Sequence, residues 1–257
     1  MAKDLAGKVA LVTGGSDGIG FATAALLAKR GARVVICGRR AEQLEIARAR
    51  IADDGGEIEA VTLDVTDFAA FEALIEGIAA RHGRLDMLVN NAMSTHYAPI
   101  ARLKLEHWRK DFAVNADAVF IGTKAAMKVM AAQGKGSIVN ISSTTAIRAM
   151  ANYSSYSASK AALIQFTAVA AMEGAPQGIR VNAIVPGQVN TAATLDFAAK
   201  APDLAAKTAG AIPMGRGGEP EELAEAIVFM LSDAASYITG VALPVDGGKA
   251  AQLYIPS

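Results

Sequence analysis

Short β-rich apolar runs alternate with longer helical patterns from one end of the chain to the other. The runs are Lys8–Val12, Arg33–Cys37, Glu57–Leu63, Asp86–Val89, Ser137–Ile141, Arg180–Val185 and Ala242–Val245. Helical stretches lie between them near 19–30, 41–53, 67–82, 104–132, 153–174 and 220–232. A helix between two strands carries the chain back across the sheet, so the next strand joins in parallel. The pattern predicts an α/β fold, a doubly wound sheet of about seven parallel strands with helices on both faces. These elements use nearly all of the 257 residues, and no linker or repeat interrupts them. One domain over residues 1–257 is expected. Thr191–Gly218 alone lacks strong periodicity and is rich in alanine and glycine. A connection that long in a compact domain tends to be functional, and a substrate lid is expected here.

Composition removes several classes. The chain is 52% hydrophobic, and its 25 basic and 25 acidic residues leave it formally neutral. No basic block points to nucleic acid. No apolar run approaches the ~18 residues of a membrane span. The single cysteine, Cys37, permits no internal disulfide. His82, His96 and His107 stand in no metal-ligand spacing, so no metal is expected. Met1-Ala2-Lys3-Asp4 opens without a secretory core. A soluble, cytoplasmic protein is expected, with a small-molecule ligand and neither nucleic acid nor membrane as partner.

The first strand runs directly into Thr13-Gly14-Gly15-Ser16-Asp17-Gly18-Ile19-Gly20 and then into a helix. Gly14 suits a tight turn, Gly18 a close approach to a pyrophosphate, and Gly20 close packing of helix on strand. The helix start adds unpaired N–H groups and partial positive charge. A purely structural glycine turn is the plain alternative. The first two key glycines, with three residues between them, are spaced more widely than in the usual dinucleotide fingerprint. The turn lacks the closing Gly-Lys-Ser/Thr of a triphosphate loop, which disfavours ATP and GTP. After the second strand, Gly38 stands where an acid would bind the adenosine ribose of NAD, and Arg39 and Arg40 follow. Guanidinium groups there suit a 2′-phosphate, so NADP is favoured and NAD is the alternative. Two solvated helix-start charges are the bland reading, and Asp17 weighs mildly against a phosphate nearby.

Tyr156 and Lys160 lie four apart at the start of a helical stretch, on one face. A phenol titrates near ~10, and a neighbouring ammonium favours the phenolate. Such a pair suits general acid/base work, although on spacing alone it is more often a core tyrosine beside a solvated lysine.

These signals coincide with others. Asn90-Asn91-Ala92 follows the fourth strand, Asn115 lies in the long helix after it, and Ser143 ends the fifth strand thirteen positions before Tyr156. Pro186-Gly187 follows the sixth strand. Over roughly residues 5–248 the chain resembles the short-chain dehydrogenase/reductase family, in its single-domain branch with a Rossmann-like fold. The resemblance implies that Tyr156 moves the hydroxyl proton and that Lys160 lowers its pKa and holds the nicotinamide ribose. It implies that Ser143 polarises the substrate oxygen and that Asn115 shapes the helix and seats a water leading to Lys160. Gly14, Ser16, Asp17, Gly18, Ile19 and Gly20 would cradle the pyrophosphate and ribose. Arg39, Arg40, Asp64, Val65, Asn90 and Ala92 would flank the adenosine and the cofactor's underside. Pro186, Gly187, Val189 and Thr191 would meet the nicotinamide end. Independently, ligands in open α/β sheets bind at the carboxyl ends of the strands, where these residues fall.

Ser142 adjoins Ser143, but strand neighbours face opposite sides, so Ser142 is expected to be structural. Asp111 and Asp117 flank Asn115 and are expected to be solvated helix charges. One position departs from the family: Met93, not glycine, follows Ala92. It either narrows the pocket or shifts the loop Ser94–Pro99, or it packs beneath that loop. The substrate wall is expected from Met93, Ser143, Ile147, Met150, Tyr153, Tyr156 and Gln188, with Tyr97, Leu195 and Phe197 nearby. Arg148, His96 and Asp196 are the only charged candidates. A mostly apolar pocket suits a hydrophobic or cyclic alcohol or ketone.

The expected function is interconversion of a secondary alcohol and a ketone by hydride transfer. A 3-oxoacyl thioester reductase shares the same residues, and a non-catalytic cofactor-binding sensor or scaffold is the reading from another class. The stretch Ser159–Met172 is apolar almost all round, as in a helix covered on two sides. The second side is expected to meet another subunit in a dimer or tetramer, with a further contact from Ile238–Ser257.

Overall fold

The computed structural model describes residues 3–252. The N-terminal Met1-Ala2 and the last part of the expected Ile238–Ser257 contact, residues 253–257, lie outside them. Seven strands form one parallel sheet: β1 Val9–Thr13, β2 Arg33–Gly38, β3 Ile58–Thr62, β4 Met87–Asn90, β5 Gly136–Ile141, β6 Ile179–Pro186 and β7 Ala242–Val245. Their order is β3-β2-β1-β4-β5-β6-β7. Leu11 of β1 pairs with Val35 on one side and Leu88 on the other. The chain therefore reverses its winding between β1 and β4, and a crevice opens at their carboxyl ends.

The helices are α1 Gly18–Lys29, α2 Ala41–Asp53, α3 Phe68–His82, α4 Leu105–Phe112, α5 Ala118–Gln133, α6 Ser154–Gly174, α7 Ala192–Lys200, α8 Pro202–Gly210 and α9 Pro220–Leu231. Strand side chains alternate between two cores. Ala10, Val12, Val34, Ile36 and Val89 meet α1, α2 and α9 on one face. Val9, Leu11, Val35, Leu88 and Ile138 meet α3, α5 and α6 on the other. Local signals set the ends. Asp67 accepts from the Ala70 N–H at 3.1 Å to start α3. Glu219 and Glu222 form a reciprocal cap over Pro220 to start α9.

Two expectations change. The stretch 104–132 is not one helix, because a π-helical segment, Ala113–Asp117, separates α4 from α5. The wider turn aims Asn115 sideways into buried partners, which a regular 3.6-residue turn would not do. The stretch Thr191–Gly218 holds two helices, α7 and α8, and neither has a buried residue. Without an apolar stripe they leave no periodic trace in sequence. A bridge between Val189 and Gly218 closes the base of this excursion.

Candidate active site

The glycine turn is a narrow cradle. Gly18 has a left-handed φ of 52°, and a Cβ there would stand 2.9 Å from Thr191 Cγ2. A Cβ at Gly20 would collide with the Gly14 carbonyl. The turn and Thr191, at the base of the α7–α8 excursion, are thus in contact, with backbone where side chains would otherwise stand. Ile19 follows at the start of α1. Asp17 caps α1, accepting from the Gly18 N–H at 2.7 Å. Thr13 fixes the turn to β4: its hydroxyl donates to the Val89 carbonyl and accepts the Asn91 and Ala92 N–H groups, both at 2.9 Å. Asn91 Nδ2 donates to the carbonyls of Thr13 at 2.9 Å and Gly14 at 3.1 Å. The side chain expected beneath the cofactor, Asn90, turns inward instead. It donates to Asn140 at 2.9 Å, and Asn140 donates to Thr167, also at 2.9 Å. The sequence assigns Thr13 and Asn91 no role of their own, because their partners are backbone groups distant in the chain.

Arg39 and Arg40 are exposed beyond β2. Arg40 reaches Ser16 Oγ at 3.4 Å. Asp64 accepts from the Thr66 N–H at 3.0 Å and hydroxyl at 2.7 Å. Burial raises its pKa, but those bonds and the charges of Arg39 and Lys110 outweigh burial and hold the carboxyl below its ordinary value. Arg39, Arg40, Ser16 and Asp64 therefore share one corner of the crevice, and Val65 beside them is buried.

At the other end stands the first turn of α6. Lys160 is buried, and its Nζ donates to the Ile141 carbonyl at 2.7 Å. Desolvation lowers its pKa to about 7. Its Nζ lies 5.9 Å from the Tyr156 ring centroid. Burial raises the Tyr156 phenol, a hydrogen bond with Ser143 opposes it, and the charges of Tyr153 and Asp111 add to the rise. The net direction for the phenol is thus upward, against the lowering expected from sequence, because burial outweighs what opposes it, and burial also disfavours the Lys160 ammonium. Ser143 Oγ accepts from the Thr145 N–H at 3.2 Å and hydroxyl at 3.1 Å. Ser142 faces away and donates to the Lys160 carbonyl at 2.9 Å. Asn115 accepts from the Ser94 N–H at 3.0 Å and donates to the Ser94 carbonyl at 2.8 Å and to Ser159 Oγ at 3.0 Å.

The rim is apolar. Met93, 51% exposed, stands out from its loop and does not pack beneath it. Met150, Leu195 and Phe197 are also exposed, and Ile147 is half-buried. Tyr153 meets Tyr156 edge-on with centroids 6.0 Å apart and Tyr97 with centroids 5.2 Å apart. Gln188 Oε1 is buried without a partner, beside Pro186, Gly187 and Val189 at the end of β6. His96 and Asp196 are held by Asp111 and Lys200 respectively. Asp111 itself corrects the sequence reading: it is completely buried, not solvated.

A glycine cradle at a helix start, two guanidinium groups beyond β2 and an orphaned acceptor after the end of β6 fit a dinucleotide laid across the carboxyl edge. A family model described as enoyl-(acyl carrier protein) reductase matches residues 14–250. The chain belongs to the short-chain dehydrogenase/reductase family. It is 43% identical to the cis-4-hydroxycyclohexanecarboxylate dehydrogenase of Sinomonas cyclohexanicum, over 98% of this chain and 100% of that one. It is 42% identical to the 2,5-dichloro-2,5-cyclohexadiene-1,4-diol dehydrogenase of Sphingobium indicum, over 96% and 98% of the two chains. Among solved structures, actinorhodin polyketide ketoreductase with NADPH matches with a TM-score of 0.92 at 34% identity, over 97% of this chain and 99% of that one. Xylitol dehydrogenase bound to NAD+ matches with a TM-score of 0.91 at 32% identity, over 95% and 99%.

Proposed function

We propose that this protein interconverts a secondary alcohol and a ketone on a compact, hydrophobic, cyclic substrate, with NADP as cofactor. The observation that carries the reading is the meeting of Tyr156, Ser143 and Lys160 across the crevice from the glycine cradle, under an apolar rim. A nicotinamide cofactor held by the glycine cradle would supply the hydride-transfer chemistry. Tyr156 Oη gives a proton to the developing alkoxide in reduction and takes one from the hydroxyl in oxidation. Ser143 Oγ accepts two bonds from Thr145, which leaves its own proton to donate to the substrate oxygen. Lys160, with a pKa of about 7, exchanges protons near neutrality, and its charged form stabilises a phenolate. Asn115 holds Ser159, next to Lys160, in place.

Supporting the cyclic substrate are the sparse free charge of the rim and the two relatives named for cyclic alcohols. Arg39, Arg40 and Ser16 support NADP through a 2′-phosphate. The whole chain is proposed to act as one domain, with α7 and α8 as the lid. Self-association through α5 and α6 is proposed from the apolar residues these helices leave exposed. No helix among the described residues is long and apolar enough to cross a membrane. A cytoplasmic location is proposed with a single thiol, Cys37, that burial pushes up to about 12 and so keeps unreactive.

The test is nicotinamide absorbance with cyclic alcohols and ketones, sugars and 3-oxoacyl thioesters, each with NADP(H) and NAD(H). Turnover is expected on the cyclic compounds, whereas preference for the thioesters would reassign the substrate. Tyr156→Phe is expected to cost roughly 10³-fold in turnover while cofactor still binds. Unchanged turnover in that variant would remove the proton role.

A further inference from the structure

Asp111 is the only acidic side chain among the described residues with no exposed surface. It lies in the last turn of α4, one turn before Asn115. Its Oδ1 accepts from the Ser94 hydroxyl at 2.9 Å and from His96 Nδ1 at 2.7 Å. Its Oδ2 accepts from the His96 backbone N–H at 3.2 Å and from the Ser155 hydroxyl at 2.5 Å. A carboxylate accepts at both oxygens and donates at neither, so it alone satisfies four donors at once. An amide would turn its NH2 against one of them.

Asp111 and Asn115 act as two rungs of one ladder. Asn115 holds the backbone of Ser94 and the hydroxyl of Ser159. One turn earlier, Asp111 holds the hydroxyl of Ser94 and the hydroxyl of Ser155. Ser155 and Ser159 are one turn apart on α6, and they directly precede Tyr156 and Lys160. The same loop is tied a second time from outside. Asn152 adopts a left-handed φ of 70°, accepts from the Ala98 N–H at 3.0 Å and donates to Tyr97 Oη at 2.9 Å. Strain of that kind persists only where the surroundings over-determine it. The His96 ring also stacks on His107 of α4, with centroids 4.2 Å apart.

We infer that Asp111 is a positioning residue, which locks the pocket wall of residues 93–98 to the helix turn carrying Tyr156. The inference rests on Tyr156 being the acid/base group. The proton chemistry itself makes no use of Asp111. Its effect is that Met93, Tyr97 and the phenol keep one relative geometry, a preorganised wall for a compact substrate. Its charge also reaches the phenol and helps to hold it up, after burial and together with Tyr153. The other titratable groups around the pair are His96 on Asp111, with His107 stacked on His96 and Glu106 on His107, and Lys160 and Tyr153 beside Tyr156.

The experiment compares D111A, D111N and S155A with the wild-type enzyme in three readouts. These are kcat and KM across pH in alcohol oxidation, cofactor affinity, and amide hydrogen exchange at His96. D111A is expected to lose about tenfold to hundredfold in kcat/KM while cofactor affinity stays within about twofold. D111N is expected to recover part of that loss. Its rise in rate with pH is expected at lower pH than in the wild type, since removing a negative charge eases phenolate formation. Exchange at His96 is expected to quicken in both Asp111 variants. Wild-type kinetics with unchanged His96 exchange in D111A and D111N would overturn the inference. So would an equal loss of turnover and cofactor affinity, the mark of a merely structural role. Should D111A fail to fold, S155A and H96A each cut one tie, and wild-type kcat/KM in both would overturn it. If the wild type turns over no alcohol, the functional reading fails separately, while His96 exchange and the tyrosinate absorbance of Tyr156 still report on Asp111.

Discussion

Lys160 titrates where water does not reach it. Burial lowers its ammonium from 10.5 to about 7. An unfolded chain keeps that proton up to the ordinary lysine range. Between about 7 and 10.5 the unfolded state therefore binds more protons, and stability rises with pH across that window. Below about 7 the full cost of burying the charge is present in the folded protein. Lys160→Met removes that cost and also leaves the Ile141 carbonyl without its donor. The second effect does not depend on pH. Relative to wild type, the cofactor-free variant is thus expected to be more stable at pH 6 than at pH 10, by chemical denaturation. The same difference at both values would mean that the site does not desolvate the amine. A second residue-scale prediction concerns Arg39, whose charge reaches Asp64 at the end of β3. Arg39→Asp is expected to weaken NADP binding by about tenfold and to leave NAD binding little changed or improved. Fluorescence titration with both cofactors decides it, and an unaltered ratio would return Arg39 to the role of a solvated charge.

At the scale of elements, the proposed lid depends on one cap. The Thr191 N–H donates to Thr194 Oγ1 at 2.8 Å, and Thr191 Oγ1 accepts the Thr194 N–H at 3.4 Å. Helix α7 has no buried residue to hold it otherwise. Thr191→Ala is expected to cost about 1 kcal/mol locally, seen as faster proteolysis within residues 191–218 and a higher KM. Cleavage at the wild-type rate would place the lid's stability elsewhere, in the Val189–Gly218 bridge. The sequence showed α2 and β7 with the bounds they have, Ala41–Asp53 and Ala242–Val245, because each keeps one regular apolar face. It did not show α7 and α8, which have no such face. Nor did it show the break at Ala113–Asp117, because the apolar pattern runs through it and the reason for it lies in Ser94 and Ser159. Asp111 looked like a surface charge for the same cause. Its partners stand 17 residues earlier in the chain and 44 later, and only the fold brings them together. Motif residues were legible where their chemistry is their own, as with Tyr156 and Lys160. They were not legible where the role is to hold another group, as with Thr13 and Asn91.

In the proposed function, one helix of the molecule has two tasks. Near its start, α6 carries Tyr156 and Lys160 against the sheet edge. Further along, its outer side leaves Val169 and Met172 exposed, and on α5 beside it Phe120 is exposed too. Phe120 meets Phe166 edge-on with centroids 6.0 Å apart, so the two helices present one continuous apolar face. Monomeric proteins rarely leave such a face in water, and a second copy of the chain covers it in the proposed assembly. Covering it would also stiffen the helix that aims the phenol. Val169→Glu places a carboxylate in the middle of that face, where an isologous contact brings two copies of the charge close together. The variant is expected to sediment as a smaller species than wild type at equal concentration and to melt at lower temperature. Its kcat is expected to fall while its cofactor affinity is kept, since the glycine cradle lies at the other side of the crevice from α6. An unchanged sedimentation coefficient would assign the exposed face to solvent and would separate the site from any assembly.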